Sequence, residues 1–216
     1  IFSMYRAVHK CSQEYQNRNY KMLLLSIISL TVGVGMNEVG ATENRTTFLA
    51  VAIASTLFYI YFMEISIQMD SLTKLLNRRC FDKHIKQLSY DTAIVFFDVN
   101  QFKSINDNYG HKQGDIVLQQ VASNIRNVFG NMGYIYRIGG DEFAMILKPG
   151  QLEKMNYLLM VELLEQRLDK VRQNENPILP SVSIGHAIYR EGMNKADVIS
   201  LADQQMYIHK NGSGRS

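Results

Sequence analysis

Charge is spread so unevenly along this chain that it sets the organisation before any motif is read. Residues 1–69 carry nine charged side chains (five basic, four acidic), whereas 70–216 carry the other 34. Within the sparse part, two stretches carry none: MLLLSIISLTVGVGMN over 22–37 and TTFLAVAIASTLFYIYFM over 46–63, of 16 and 18 residues. A bilayer-spanning helix needs about 20 mostly apolar residues. The runs therefore predict an α-helical transmembrane hairpin, with spans at about 21–37 and 46–64. The connecting EVGATENRT is too short to be a domain. Arg6, Lys10, Arg18 and Lys21 precede the first run, and Lys74, Arg78, Arg79 and Lys83 follow the second. Only Arg45 is basic between them. Positive-inside logic then places both ends in the cytoplasm, with Tyr59 and Tyr61 in an interfacial aromatic belt. The same residues also read as a helical hairpin packed within a sensor region. Gly33, Gly35, Ala50, Ala52, Ala54 and Ser55 would serve close helix packing in either case. Because the sequence starts at Ile1 in mid-pattern, 1–69 is expected to be the C-terminal piece of a longer helical region.

Residues 70–216 have the make-up of an aqueous domain. With 23 basic against 20 acidic residues in the whole chain, there is no room for a concentrated cationic face, and nucleic acid is not an expected partner. Cys11 and Cys80 lack any CxxC or Cys/His spacing, which excludes a disulfide scaffold or zinc finger and fits a reducing compartment. His9, His84, His186 and His209 show no ligand spacing either, and packing or surface roles suit them better.

Periodicity gives the elements. Leu72, Leu75, Leu76, Phe81 and Ile85 predict a helix over residues 71–88. TAIVFF (92–97) suits a strand buried on both faces. Ile116, Leu118, Val121, Ile125 and Val128 predict a helix over 114–128. Strands over 134–138 and 143–147, separated only by GGDE, signal a hairpin. A long amphipathic helix follows over 151–171, its core stripe formed by Met155, Leu158, Leu159, Leu163 and Leu168. A strand over 181–189 and a helix over 195–209 complete the pattern. The order predicts an α+β architecture, a mixed sheet flanked by helices.

Chemistry concentrates in two places. Asp98 closes the apolar strand, so it sits at a sheet end facing a crevice. Asp141 and Glu142 follow Gly139 and Gly140 in the hairpin turn. Paired glycines permit positive φ and let backbone N–H groups approach an anion closely. If the strands are neighbours, Asp98 and Asp141 converge. Hard carboxylate oxygens of this kind hold Mg²⁺, which takes one or two carboxylates plus substrate phosphates. A Gly-Gly turn with solvated acids is the competing reading. The stretch FFDVNQFKSINDNYGHKQGD adds Lys103 for a phosphate, and Asn106, His111 and Asp115 around a helix start framed by Gly110 and Gly114. Helix starts favour anions. A carboxylate beside an amide can also accept from the N1–H and N2–H₂ edge of guanine.

Five blocks, DSLTKLLNRR (70–79), DVNQFKSINDNYGHKQGD (98–115), RIGGDEF (137–143), VSIGHA (182–187) and ADQQMYIHK (202–210), together resemble the GGDEF-domain family of bacterial diguanylate cyclases. The resemblance implies a palm-type fold with a ferredoxin-like core over 70–216. It implies condensation of two GTP into cyclic di-GMP and two pyrophosphates by a homodimer whose GGDEF domains each bring one GTP, with Mg²⁺ or Mn²⁺ as cofactor. By motif position, Asp98, the Val99 carbonyl and Asp141 resemble the metal ligands, and Asp141 with Glu142 the catalytic acids. Asn106 and Asp115 resemble the guanine readers, with His111 between them. Phe102, Lys103 and Lys210 resemble the phosphate-binding set, joined at the substrate by Gly139, Gly140 and Arg215. Together with the helical runs, this implies a bacterial inner-membrane protein with its catalytic domain in the cytoplasm.

Four departures from the family pattern stand out. Lys74 replaces a glycine, which is expected to alter only local turn geometry. Asn100 stands where a second Asp is usual. The C-terminal K-x-x-G-R becomes Lys210-Asn-Gly-Ser-Gly-Arg215. Gly130-Asn131-Met132-Gly133 occupies the place of the inhibitory RxxD, so no product inhibition through that site is expected. The alternative to an enzyme is an inactive GGDEF domain acting as a GTP or cyclic di-GMP receptor. Retention of Asp98, Asn106 and Asp115 argues against it.

Overall fold

The computed structural model describes residues 20–38 and 45–212. The chain divides between Met69 and Asp70 into two compact units. The first contains α1 (Tyr20–Glu38) and α2 (Arg45–Gln68). They meet through small side chains: Ser26, Gly33 and Ala50 are buried, Ser29 Oγ donates to the Ala50 carbonyl at 3.5 Å, and Thr47 Oγ1 to that of Gly33 at 3.4 Å. Leu25, Ile28, Phe48 and Leu49 face outward.

Among the described residues, no helix is long and apolar enough to cross a membrane. This corrects the expected transmembrane hairpin and removes the basis for membrane association and the inner-membrane placement. The physical reason is length and composition. At about 1.5 Å per residue, the uncharged runs rise only about 24 and 27 Å, short of a hydrocarbon core of about 30 Å. Hydroxyl residues also interrupt them, with Thr31 and Thr56 bonding back to carbonyls of Ile27, Ile28 and Ala52 in their own helices.

The second unit is built on a five-stranded mixed sheet in the order β1-β3-β4-β2-β5. These strands are β1 (Leu76–Asn77), β2 (Thr92–Val99), β3 (Gly133–Arg137), β4 (Glu142–Leu147) and β5 (Val182–Tyr189). β1 runs parallel to β3, and the remaining pairs are antiparallel. The helices are α3 (Arg78–Lys86), α4 (Phe102–Tyr109), α5 (His111–Phe129), α6 (Tyr157–Asn174) and α7 (Lys195–Gly212). All eight residues of β2 are buried, as its unbroken apolar run requires. Ala93, Val95, Phe97 and Val99 join Val117, Val121, Ile125 and Phe129 of α5 and Met160, Leu164 and Leu168 of α6 in the main core. Each such large side chain contributes about 1.5–3 kcal/mol on burial. A second layer packs Phe96 against Phe81 of α3, with ring centroids 5.9 Å apart. α7 crosses so close to β5 that a Cβ on Gly185 would lie 2.2 Å from the Ala202 carbonyl oxygen.

Three element boundaries differ from the periodic reading. The helix expected over 71–88 begins only at Arg78. Asp70 Oδ1 accepts from Thr73 N and Oγ1 at 2.8 and 2.7 Å, tying a turn that competes with helix. Lys74 then adopts φ +56°, and Asn77 caps α3 by accepting from Cys80 N. α4 precedes α5 as a separate helix, the two broken at Gly110 with φ +81°. The helix expected over 151–171 is a short 3₁₀ turn (Leu152–Lys154) followed by α6, whose start is fixed by Asn156 accepting from Leu159 N.

Candidate active site

The polar residues gather where β2 ends and the β3–β4 hairpin turns. Antiparallel pairing sets Asp98 opposite Glu142 on one side and Ser183 on the other. Val99 N donates to the Asp141 carbonyl at 3.1 Å, stitching the strand end to the turn. Asp98 thus stands on a strand bonded along both edges, its side chain only 11% exposed. Lys210 Nζ, from the last turns of α7, donates to its Oδ1 at 2.7 Å. The pair brings together residues 112 positions apart.

The turn itself runs through residues 138–141, closed by Ile138 N and Gly139 N donating to the Glu142 carbonyl. Neither Gly139 nor Gly140 has positive φ, which corrects the conformational reason given for them. At Gly139 the reason is space: a Cβ would lie 2.5 Å from Glu142 Oε2, so the glycine lets that carboxylate fold back across the turn. Gly140 opens onto free space, and its carbonyl accepts from Arg137 Nη2 at 2.7 Å. The same guanidinium holds Asp70 through Nη1, at 3.1 and 3.3 Å to the two carboxylate oxygens. Burial alone would raise the Asp70 pKa, but hydrogen bonds from Thr73 and the Arg137 charge outweigh it and hold the carboxyl below its ordinary value. Asp70 and Arg137 belong to the DSLTKLLNRR and RIGGDEF segments, whose sequences carry no sign of this pairing. Their partnership spans 67 residues and leaves no local spacing to detect.

A second group lines the α4–α5 junction. Phe102 opens α4 with Lys103 exposed beside it, after Gln101 in a left-handed conformation at φ +55°. Asn106 folds over Gly114, where a Cβ would fall 2.0 Å from Asn106 Oδ1 and 3.2 Å from Phe102 Cζ. That Oδ1 is buried with no hydrogen-bond partner among the described residues. A buried acceptor without a donor is costly, so it marks a position suited to a ligand N–H. His111 begins α5 and Asp115 lies one turn on, both exposed. Asn100 turns toward β5, its Nδ2 donating to Ser181 Oγ at 2.9 Å and its Oδ1 accepting from Ser183 Oγ at 2.8 Å. Arg215 lies outside the described residues.

Among the described residues, no group of three or more His, Cys, Asp or Glu side chains could hold a metal alone. Asp98, the Val99 carbonyl and Asp141 offer a smaller set of hard oxygens. That set fits Mg²⁺ or Mn²⁺ binding shared with substrate phosphates. The fit has support in the molecule itself, since Asp98 already carries a cationic partner, the Lys210 ammonium.

The chain is also similar to known proteins. A family described as "Diguanylate cyclase, GGDEF domain" matches residues 67–216. Signaling protein YkoW of Bacillus subtilis (strain 168) is 35% identical over 150 residues, 65% of this chain and 19% of YkoW. Diguanylate cyclase DosC of Escherichia coli (strain K12) is 32% identical over 168 residues, 72% of this chain and 36% of DosC. The chain thus spans about a fifth and about a third of the length of these two relatives. The coiled coil and GGDEF domain of DgcB from Caulobacter crescentus, in complex with c-di-GMP, is similar in structure with a TM-score of 0.62. The sequence identity is 26%, and the match covers 79% of this chain and 96% of that one.

Proposed function

The chain belongs to the diguanylate cyclase family with a GGDEF domain, and from that premise we propose that residues 70–216 form a catalytic domain condensing two GTP into cyclic di-GMP and two pyrophosphates. The observation that carries the reading is the meeting of Asp98, the Asp141 turn and Lys210 at one sheet end. Asp98, the Val99 carbonyl and Asp141 would hold Mg²⁺ or Mn²⁺. When bound, that ion would stabilise charge on the α-phosphate and favour ionisation of the attacking 3′-hydroxyl. Asp141, with Glu142 beside it, takes the hydroxyl proton. The 3′-oxygen forms a bond to the α-phosphorus of the other GTP as the bond to pyrophosphate breaks, and the exchange repeats once to close the ring. Lys103 and Lys210 offset charge on the departing pyrophosphate, with Phe102, Gly139, Gly140 and Arg215 completing the phosphate contacts.

Guanine is selected at the α4–α5 junction. The orphan Asn106 Oδ1 accepts from the base, Asp115 takes the adjoining N–H, and His111 lies between them. The chemistry requires two nucleotides in antiparallel array, so the active form is a homodimer meeting through its GGDEF domains. Asn100 acts indirectly, fixing the end of β2 to β5.

The test is cyclic di-GMP formation from GTP and Mg²⁺ over a protein-concentration series. Product should rise more steeply than linearly with protein and disappear in Asp141→Ala while GTP binding is retained. A chain that binds GTP yet makes no product at any concentration would defeat the enzyme reading.

A further inference from the structure

The Asp98 carboxylate holds the Lys210 ammonium and, on the cyclase reading, would also receive a divalent cation, which raises the question of their order of binding. Its strand cannot move to accommodate both, because β2 is hydrogen-bonded on either side along its length. Lys210 has the opposite character. Its side chain is 43% exposed on a four-carbon stem, free to swing from α7 while its ammonium meets Oδ1 at 2.7 Å. An ammonium and a divalent ion cannot both contact one carboxylate oxygen without strong repulsion in a partly desolvated site. A triphosphate offers Lys210 several negative oxygens in exchange for one.

We propose that Lys210 is an exchangeable counter-ion: it holds Asp98 until a nucleoside triphosphate draws the ammonium away, so the divalent cation enters with nucleotide and not ahead of it. This rests on the cyclase reading for the identity of the triphosphate. It assigns Lys210 a second role, gating the metal, which a phosphate contact alone would not produce. Linkage makes the effect reciprocal, so whatever removes the ammonium from Asp98 strengthens metal binding there.

The experiment is a Mn²⁺ titration of the full chain without nucleotide, read by electron paramagnetic resonance, for wild type, Lys210→Met, Lys210→Arg and the double variant Lys210→Met with Asp98→Asn. Lys210→Met should bind Mn²⁺ about tenfold more tightly than wild type, equivalent to about 1.4 kcal/mol. Lys210→Arg should stay as weak as wild type, because it keeps a positive charge on Asp98, and the double variant should lose the gain. Equal affinity in wild type and Lys210→Met, or a gain that survives Asp98→Asn, would overturn the proposal. The readout uses neither GTP nor product. A wild type that makes no cyclic di-GMP while Lys210→Met shows the gain would therefore retire the cyclase reading alone. A productive wild type with no gain in the variant would retire the counter-ion alone.

Discussion

Asp70 and Asp98 are both partly sequestered carboxylates paired with a cation, yet they have been given opposite environments. Asp70 accepts from Thr73 N, Thr73 Oγ1 and the fork of Arg137, whose other arm holds the Gly140 carbonyl. Its oxygens are committed, to groups on a turn and a strand. Asp98 is the more enclosed and, among the described residues, has one salt-bridge partner, on a flexible stem. Saturation by fixed donors is what a carboxylate needs to hold backbone in place. A single exchangeable partner is what it needs to receive a ligand. On the proposed reading, the contrast separates the structural acid from the chemical one more clearly than burial does.

The largest effect that tests this contrast is on activity. Asp98→Asn should lower cyclic di-GMP formation about a thousandfold, the scale seen when a group that stabilises transition-state charge is lost. Its melting temperature should stay close to wild type, because Lys210 simply returns to water. Loss of folding in this variant would break the contrast at once.

Asp70→Ala should do the reverse, costing about 2–3 kcal/mol by leaving Arg137 and the Thr73 N–H without their acceptor, as read by urea unfolding. Acid should find the same weakness. The Asp70 carboxyl is held below its ordinary value in the folded protein, so its contribution is complete above about pH 4 and disappears as pH falls through the lowered folded value. Asp70→Asn should flatten that part of the stability profile. An unchanged acid limb would mean that other carboxylates govern it.

A smaller effect is expected at the substrate pocket. Gly114→Ala would place a methyl 2.0 Å from where Asn106 Oδ1 lies, turning the amide out of its notch. The KM for GTP should rise roughly tenfold, the equivalent of one hydrogen bond worth about 1.4 kcal/mol, with the melting temperature little changed. An unaltered KM would remove Asn106 from guanine recognition. The smallest effect belongs to the Asp70 turn. Lys74 has φ +56°, where L residues pay about 1–2 kcal/mol. Lys74→Gly should therefore relieve strain and raise stability by about 1 kcal/mol at most, after glycine's extra unfolded-chain entropy is subtracted.

The same residues show what could be read from sequence. β2, the hairpin, and the places of Asp98 at a strand end and Asp141 in the turn were legible, because an unbroken apolar run and a four-residue polar interruption are local signals. The Asp70 turn was not. Leu72, Leu75 and Leu76 fit a helical period, and periodicity cannot see a side chain capturing Thr73 N. Asp-x-x-Thr before a leucine pair, with Asn77 three residues ahead of Cys80, was the available clue. The expected positive φ at Gly139 failed for a related reason. The glycine there answers to the Glu142 side chain across the turn, a contact no backbone preference encodes. The contacts of Lys210 with Asp98 and of Arg137 with Asp70 were beyond reach, since tertiary packing, not spacing, joins residues 112 and 67 positions apart. The uncharged runs within α1 and α2 teach the converse, for lack of charge over 16 or 18 residues is also compatible with two helices meeting through Ser26, Gly33 and Ala50.

The position of β2 between β4 and β5 also has a consequence for how the molecule breathes. Amides bonded on a strand of that kind become accessible to solvent deuterium only when the domain opens as a whole, whereas the last turn of a helix, where Lys210 lies in α7, frays far more often. Asp98 and Lys210 therefore sit at opposite ends of the exchange timescale although their atoms are 2.7 Å apart. Deuterium uptake around Phe97 should be among the slowest in the chain and around Lys210 among the fastest, with one hydrogen bond joining the two regimes.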